Sequence, residues 1–231
     1  MDFDPVEFLV TASVWVLPVL IAITLHEAAH GWVAWKLGDP PAKALGRVTF
    51  NPLKHIDPFG TIILPGMLLL FSGGQFMFGF AKPVPVNFAN LRHFRRDMVL
   101  VAAAGPGINI VLALVAALAL HLFDPRASWI SEWAVLNLIN ALKVNVILAM
   151  FNLMPLPPLD GGRIAVGVLP RPLALPVARL ERFGFPILIT LLFILPWIGG
   201  KIGVDLNVLH WAVLIPAQWV LDGILWIAGL G

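Results

Sequence analysis

Residues 26–30 read His26-Glu27-Ala28-Ala29-His30, the pattern H-E-x-x-H. On a helix, residues four apart share one face, so both imidazoles can reach a single metal ion. The glutamate beside the first imidazole supplies a carboxylate that can move a proton, which is the arrangement of metal-assisted hydrolysis. The pentapeptide lies inside a long apolar stretch, where ionisable groups are expensive and mark a working site. A catalytic zinc needs a third protein ligand and an open position. Asp160 is the candidate, in Asn152-Leu153-Met154-Pro155-Leu156-Pro157-Pro158-Leu159-Asp160-Gly161-Gly162. The two glycines after it give the backbone freedom to aim a carboxylate inward. Equally, Asp160 could cap a helix beginning near Gly161, and the residues alone leave both readings open.

The elements that must position these groups are membrane spans. The chain has 231 residues, of which 59% are hydrophobic and 12% charged, with a mean hydropathy of +0.90. Soluble domains carry about 25% charged residues, so this surface suits a bilayer. A net charge of +2 gives no basis for nucleic-acid binding, and the absence of cysteine excludes disulfides and thiolate metal sites. The acidic start Met1-Asp2-Phe3-Asp4-Pro5 is unlike the basic head of a signal peptide, so the first apolar run is expected to stay as an anchor.

The pattern predicts an all-α polytopic protein with about five to six transmembrane helices. The first covers Glu7 to Leu37, with a kink at Pro18 and a stop at Gly38-Asp39-Pro40-Pro41. Later spans are expected over Met98–Leu122, from Glu132 or Trp133 to Met154, over a short proline-flanked Phe185–Ile198, and over Leu206–Ile227. Residues 60–71 are apolar but short, and Phe80-Ala81-Lys82-Pro83-Val84-Pro85-Val86-Asn87 is extended by its prolines. Residues 60–90 therefore read as a re-entrant element with a hairpin-like strand between the first two full spans.

Basic residues support that topology. Eight fall in 36–96 and four in 163–182; Arg126 and Lys201 lie in other loops and Lys143 within a span. Basic loops stay cytoplasmic. Re-entry of 60–90 keeps both basic stretches on that side, puts the N-terminus outside, and turns the metal site toward the cytoplasm. The whole of 1–231 is expected to form one integral membrane metalloprotease domain, with a catalytic core of about 7–165 and C-terminal helices at about 184–228. His55 and His93, among basic loop residues, are expected to be solvated. Asn109, Asn140 and Asn145 read as interhelical hydrogen-bonding residues.

The combination of these motifs resembles the site-2 proteases, the intramembrane zinc metalloproteases. The likeness rests on H-E-A-A-H at 26–30, N-x-x-P-x-P-P-L-D-G-G at 152–162, F-A-K-P-V-P-V-N at 80–87, and Ala104-Gly105-Pro106 with Asn109. The resemblance implies one zinc ion per chain held by His26, His30 and Asp160, with Glu27 as the general base. It implies that Asn152 lies near the site and engages substrate backbone or the developing oxyanion. It also implies that the segment containing Val84 and Val86 holds extended substrate, consistent with strand addition along an exposed edge. The expected partners are a transmembrane protein substrate and the lipid bilayer, in a bacterial or archaeal plasma membrane. Larger family members carry PDZ or CBS domains, and no segment here has room for one. The competing class is a zinc-binding membrane protein without protease activity, a metal carrier or inactive regulator, which would need the histidines but not Glu27.

Overall fold

The structure of the chain, a computed structural model, describes residues 5–63, 67 and 82–231. Helix α1 spans Pro5–Lys36 and runs through Pro18 as one element. It stops where Gly38 takes φ +114°, a conformation that favours glycine, and where the Asp39 N–H turns back to Ala34 O at 2.9 Å. A short helix α2, Pro41–Ala44, opens the loop that follows. Helix α3 spans Phe94–Ala119, and Asp97 in its first turn accepts the His93 N–H at 2.8 Å. Helix α4 spans Trp129–Asn152. It begins three to four residues before the expected start because Ser128 caps it, its Oγ accepting the Ser131 N–H at 3.2 Å. Helices α1, α3 and α4 pack on one another, and α3 also carries α5, Asp160–Val168.

The C-terminal part departs from expectation at one span. In place of a short Phe185–Ile198 helix, a continuous helical stretch covers Arg171–Ile202. It comprises α6 (Arg171–Arg179), α7 (Gly184–Ile189) and α8 (Leu195–Ile202), joined by a tighter turn at Leu180–Phe183 and a wider one at Thr190–Ile194. Prolines 172, 176, 186 and 196 remove backbone donors, and these changes of winding absorb the gaps without ending the rod. A last span, His210–Ile227, contains α9, Ile215–Ile227. Among the described residues, five helical stretches are thus long and apolar enough to cross a bilayer, and the chain is a multi-pass membrane protein.

Small residues set the packing. Ala113, Ala116 and Ala117 of α3 meet Leu142 and Val146 of α4 and Ala217 and Ile224 of α9 in one buried cluster. A second cluster joins Ala34 of α1 to Met98 and Val101 of α3 and Leu91, with Val86 against it. Polar links cross the same seams: Asn140 Nδ2 donates to Val14 O at 2.8 Å, and Trp133 Nε1 donates to Ser13 Oγ at 2.8 Å.

Most of the expected re-entrant element, residues 64–66 and 68–81, lies outside the described residues. Pro58–Ile63 forms one wide helical turn. Residues 82–87 are extended, with Lys82, Pro83, Pro85 and Asn87 exposed while Val84 and Val86 turn inward. No strand pairs with this segment among the described residues, so the hairpin is not seen there.

Candidate metal centre

Three ligand atoms converge where α1, α3 and α5 meet. His26 Nε2 and His30 Nε2 lie 3.0 Å apart, and Asp160 Oδ2 lies 3.2 Å from each. Around a tetrahedral zinc with bonds of about 2.0–2.1 Å, neighbouring ligand atoms are about 3.3 Å apart, so the triangle has the right size. All three residues are buried.

The outward nitrogens decide the tautomers. His26 Nδ1–H donates to Asn109 Oδ1 at 2.6 Å, and His30 Nδ1–H donates to Val101 O at 2.7 Å. The Asn109 amide is itself oriented, because its Nδ2 donates to Asn145 Oδ1 at 2.7 Å and to Ala22 O at 3.3 Å. With both Nδ1 atoms protonated, each Nε2 presents a lone pair. Two imidazole lone pairs and a carboxylate oxygen then face one another, and Asp160 Oδ2 has no conventional hydrogen-bond donor. Such a set of acceptors is satisfied by a cation at its centre.

Of the two readings of Asp160, the geometry bears on the cap directly. Its side chain makes no cap to the helix it begins, and its carboxylate faces the histidines. The two glycines act through space, not through unusual backbone angles, since neither has positive φ. A Cβ on Gly161 would lie 2.2 Å from Leu153 O, and one on Gly162 would lie 2.2 Å from Pro157 N. The proline-rich turn can fold back over the start of α5 only because both positions are bare. Gly105 in α3 does the same for the histidines: a Cβ there would lie 2.4 Å from His30 Nε2 and 2.6 Å from His26 Nε2. What packs on Gly105, within the Ala104-Gly105-Pro106 run, is the pair of histidines itself.

Glu27 is partly buried, and its Oε2 accepts the Val84 N–H at 2.7 Å. Asn152 closes α4 and donates from Nδ2 to Leu148 O at 3.0 Å. The Val84 side chain packs toward Gly31, and Val86 packs on the cluster around Met98 and Val101. His93 is exposed as expected, but His55 is not: it is 2% exposed. Burial, reinforced by the Arg47 charge, holds its imidazole below the ordinary histidine range and therefore neutral near pH 7. Its place in a basic, turn-rich loop gave no sign of this, because the burial comes from chain folded back over it.

Comparison with known proteins bears on this geometry. Over 193 residues the chain is 38% identical to “Putative zinc metalloprotease YwhC” of Bacillus subtilis, covering 78% of this chain and 80% of that protein. The chain belongs to the site-2 protease family. Two proteins named “Putative zinc metalloprotease Rip2” are also similar. The one from Mycolicibacterium smegmatis is 30% identical over 75% of this chain, and the one from Mycobacterium tuberculosis H37Rv is 32% identical over 68%. The matched regions cover 64% and 59% of those two relatives. No protein-family model matches the chain, and no solved structure matches it. In this site-2 protease family member Asn109, itself held by Asn145, fixes the ring of His26 as well as joining two helices. Asn109→Ala removes the acceptor that fixes the His26 tautomer. It is expected to weaken zinc binding about tenfold to a hundredfold, the usual cost of losing such a partner, as measured by competition with a chromogenic chelator.

Proposed function

We propose that this chain is an intramembrane zinc endopeptidase that hydrolyses peptide bonds in membrane-embedded protein segments. The observation that carries the reading is the convergence of three acceptor atoms, two imidazole and one carboxylate, beside a glutamate on the same helix turn. His26, His30 and Asp160 would hold the metal. A zinc ion held by them would supply Lewis-acid chemistry, polarising a carbonyl and lowering the pKa of water toward neutrality. Glu27 takes the proton of the attacking water and later delivers it to the leaving amine nitrogen. Asn109 and Val101 keep both imidazoles in the tautomer that ligates.

The substrate must unwind before attack, because a transmembrane helix satisfies its amides internally. The extended 82–87 segment pairs with no strand among the described residues, and the part of its backbone not already held by Arg47, Glu27 and Asp39 is where an unwound chain would add, with the Val84 and Val86 side chains as its inner anchors. Asn152 is the proposed donor to substrate backbone or oxyanion once its amide leaves Leu148 O. An apolar groove of about 600 Å³ runs along α1 at Leu25, Ala28, Ala29 and Trp32, opposite Val48, Phe50 and Ile108. Its lining suits an apolar segment arriving from the bilayer. The distribution of basic residues supports an outside N-terminus and a metal centre toward the cytoplasmic side.

The test is co-reconstitution of the full chain with a single-span protein in lipid vesicles. Cleavage within the apolar segment is expected, abolished by a membrane-permeant chelator and restored by zinc. Cleavage confined to the soluble flanks, or unaffected by complete zinc removal, would reject the reading.

A further inference from the structure

Arg47 lies in the loop after α2 and is 8% exposed. No carboxylate lies within ion-pair distance of it among the described residues. A buried guanidinium without a counter-charge is costly and needs good acceptors. Arg47 finds them on the backbone beside the metal centre: Nη2 donates to Lys82 O at 2.6 Å and reaches Pro83 O at 3.5 Å. The Lys82 N–H is in turn held by His55 O at 2.9 Å. Both polar groups flanking the 82–83 peptide are thus tied to the loop after α1. The next N–H along the chain, that of Val84, is the one donated to Glu27 Oε2. At the far end of the segment, Asp39, with no exposure, accepts the Asn87 N–H at 2.8 Å and the Asn90 Nδ2 at 2.6 Å.

The segment is therefore clamped at both ends, with Glu27 between the clamps. Its approach to α1 also needs Gly31, one turn beyond Glu27, where an added Cβ would lie 3.0 Å from Val84 Cγ1 and 3.1 Å from Val48 Cγ2. Among the described residues, the hydrogen-bond donor to the Glu27 carboxylate is this one N–H.

We propose that Arg47 is a positioning residue for Glu27. By fixing the carbonyls of Lys82 and Pro83 it sets the Val84 N–H, and that N–H sets the orientation of the carboxylate relative to the metal ligands. The inference rests on the reading of Glu27 as the base. It predicts that Arg47 acts on turnover and not on metal binding. A general base displaced by about 1 Å costs up to about a hundredfold.

The test uses the full zinc-loaded chain and a reconstituted single-span substrate. Arg47→Met keeps the apolar stem and removes the donors, whereas Arg47→Lys restores a charge and one donor. Val84→Pro deletes the N–H itself while leaving Arg47 in place, in a segment whose extended backbone suits proline. Arg47→Met is expected to keep wild-type zinc content and to lower kcat about tenfold to a hundredfold, whether or not KM rises as the 82–87 segment loosens. Amide exchange over 82–87 should quicken, and Arg47→Lys should recover part of the turnover. Val84→Pro should show the same kcat loss, and the double variant should be no worse than either alone, because both cut one chain of contacts. Unchanged kcat, loss confined to KM, loss of zinc, or additive effects in the double variant would each overturn the proposal. If Arg47→Met does not fold, Arg47→Lys and Val84→Pro carry the same comparison. Glu27→Gln separates the two claims. If it remains active, the base reading falls; if it is inactive while Arg47→Met turns over normally, only the role of Arg47 falls.

Discussion

Glu27→Gln is expected to retain its full zinc complement and to lose cleavage by about a hundredfold to ten-thousandfold, the range that a positioned acid–base group contributes. The substitution is nearly isosteric. The amide oxygen of glutamine can still accept the Val84 N–H, so the 82–87 segment has no reason to move. His26, His30 and Asp160 keep their positions, and Asn109 still fixes the first imidazole. Only the capacity to take and return a proton is removed. The measurement pairs zinc content by elemental analysis with initial rates on a membrane-embedded substrate. It also separates protease from metal carrier: a carrier uses the imidazoles and has no use for the base, so full activity in Glu27→Gln would remove the proteolytic mechanism. Loss of zinc along with activity would show Glu27 to be part of the metal cage instead.

Asp160→Ala should do the reverse. Zinc affinity is expected to fall on the order of a hundredfold to a thousandfold, as one of the three proposed ligands and the only anionic one is removed. Activity should disappear with the metal. The helices should stay assembled, because Asp160 makes no helix cap and the turn over Gly161 and Gly162 is held by close backbone contact, not by the carboxylate. Equilibrium dialysis against buffered zinc, with helix content followed by circular dichroism, tests both halves. Wild-type zinc affinity in this variant would mean that the metal sits elsewhere. Collapse of the helices would mean that the carboxylate is structural.

Much of this protein was legible along the chain. The period of a helix puts His26 and His30 on one face wherever the sequence is helical, and the apolar context guarantees that it is. Span number followed from hydropathy for the same reason: a backbone in lipid has few options. The exception is Arg171–Ile202, which extends the expected Phe185–Ile198 span in both directions because changes of helical winding at 180–183 and 190–194 carry the chain on as one rod.

What the chain could not show was decided by contacts between distant segments. Whether Asp160 capped a helix or faced a metal depended on how the 153–159 turn folds over two bare glycines, which is a matter of space around α5 and not of local backbone preference. Gly105 and Asn109 gained their roles from α1 lying against α3, and Asn145 from α4 lying against both. The Lys82 N–H found His55 O, and Arg47 found its carbonyls, only when the 82–87 segment closed on the loop after α1. Local sequence specifies periodicity and donor chemistry, because those depend on neighbours along the chain. The aim of a side chain depends on what stands opposite, and that is supplied by packing.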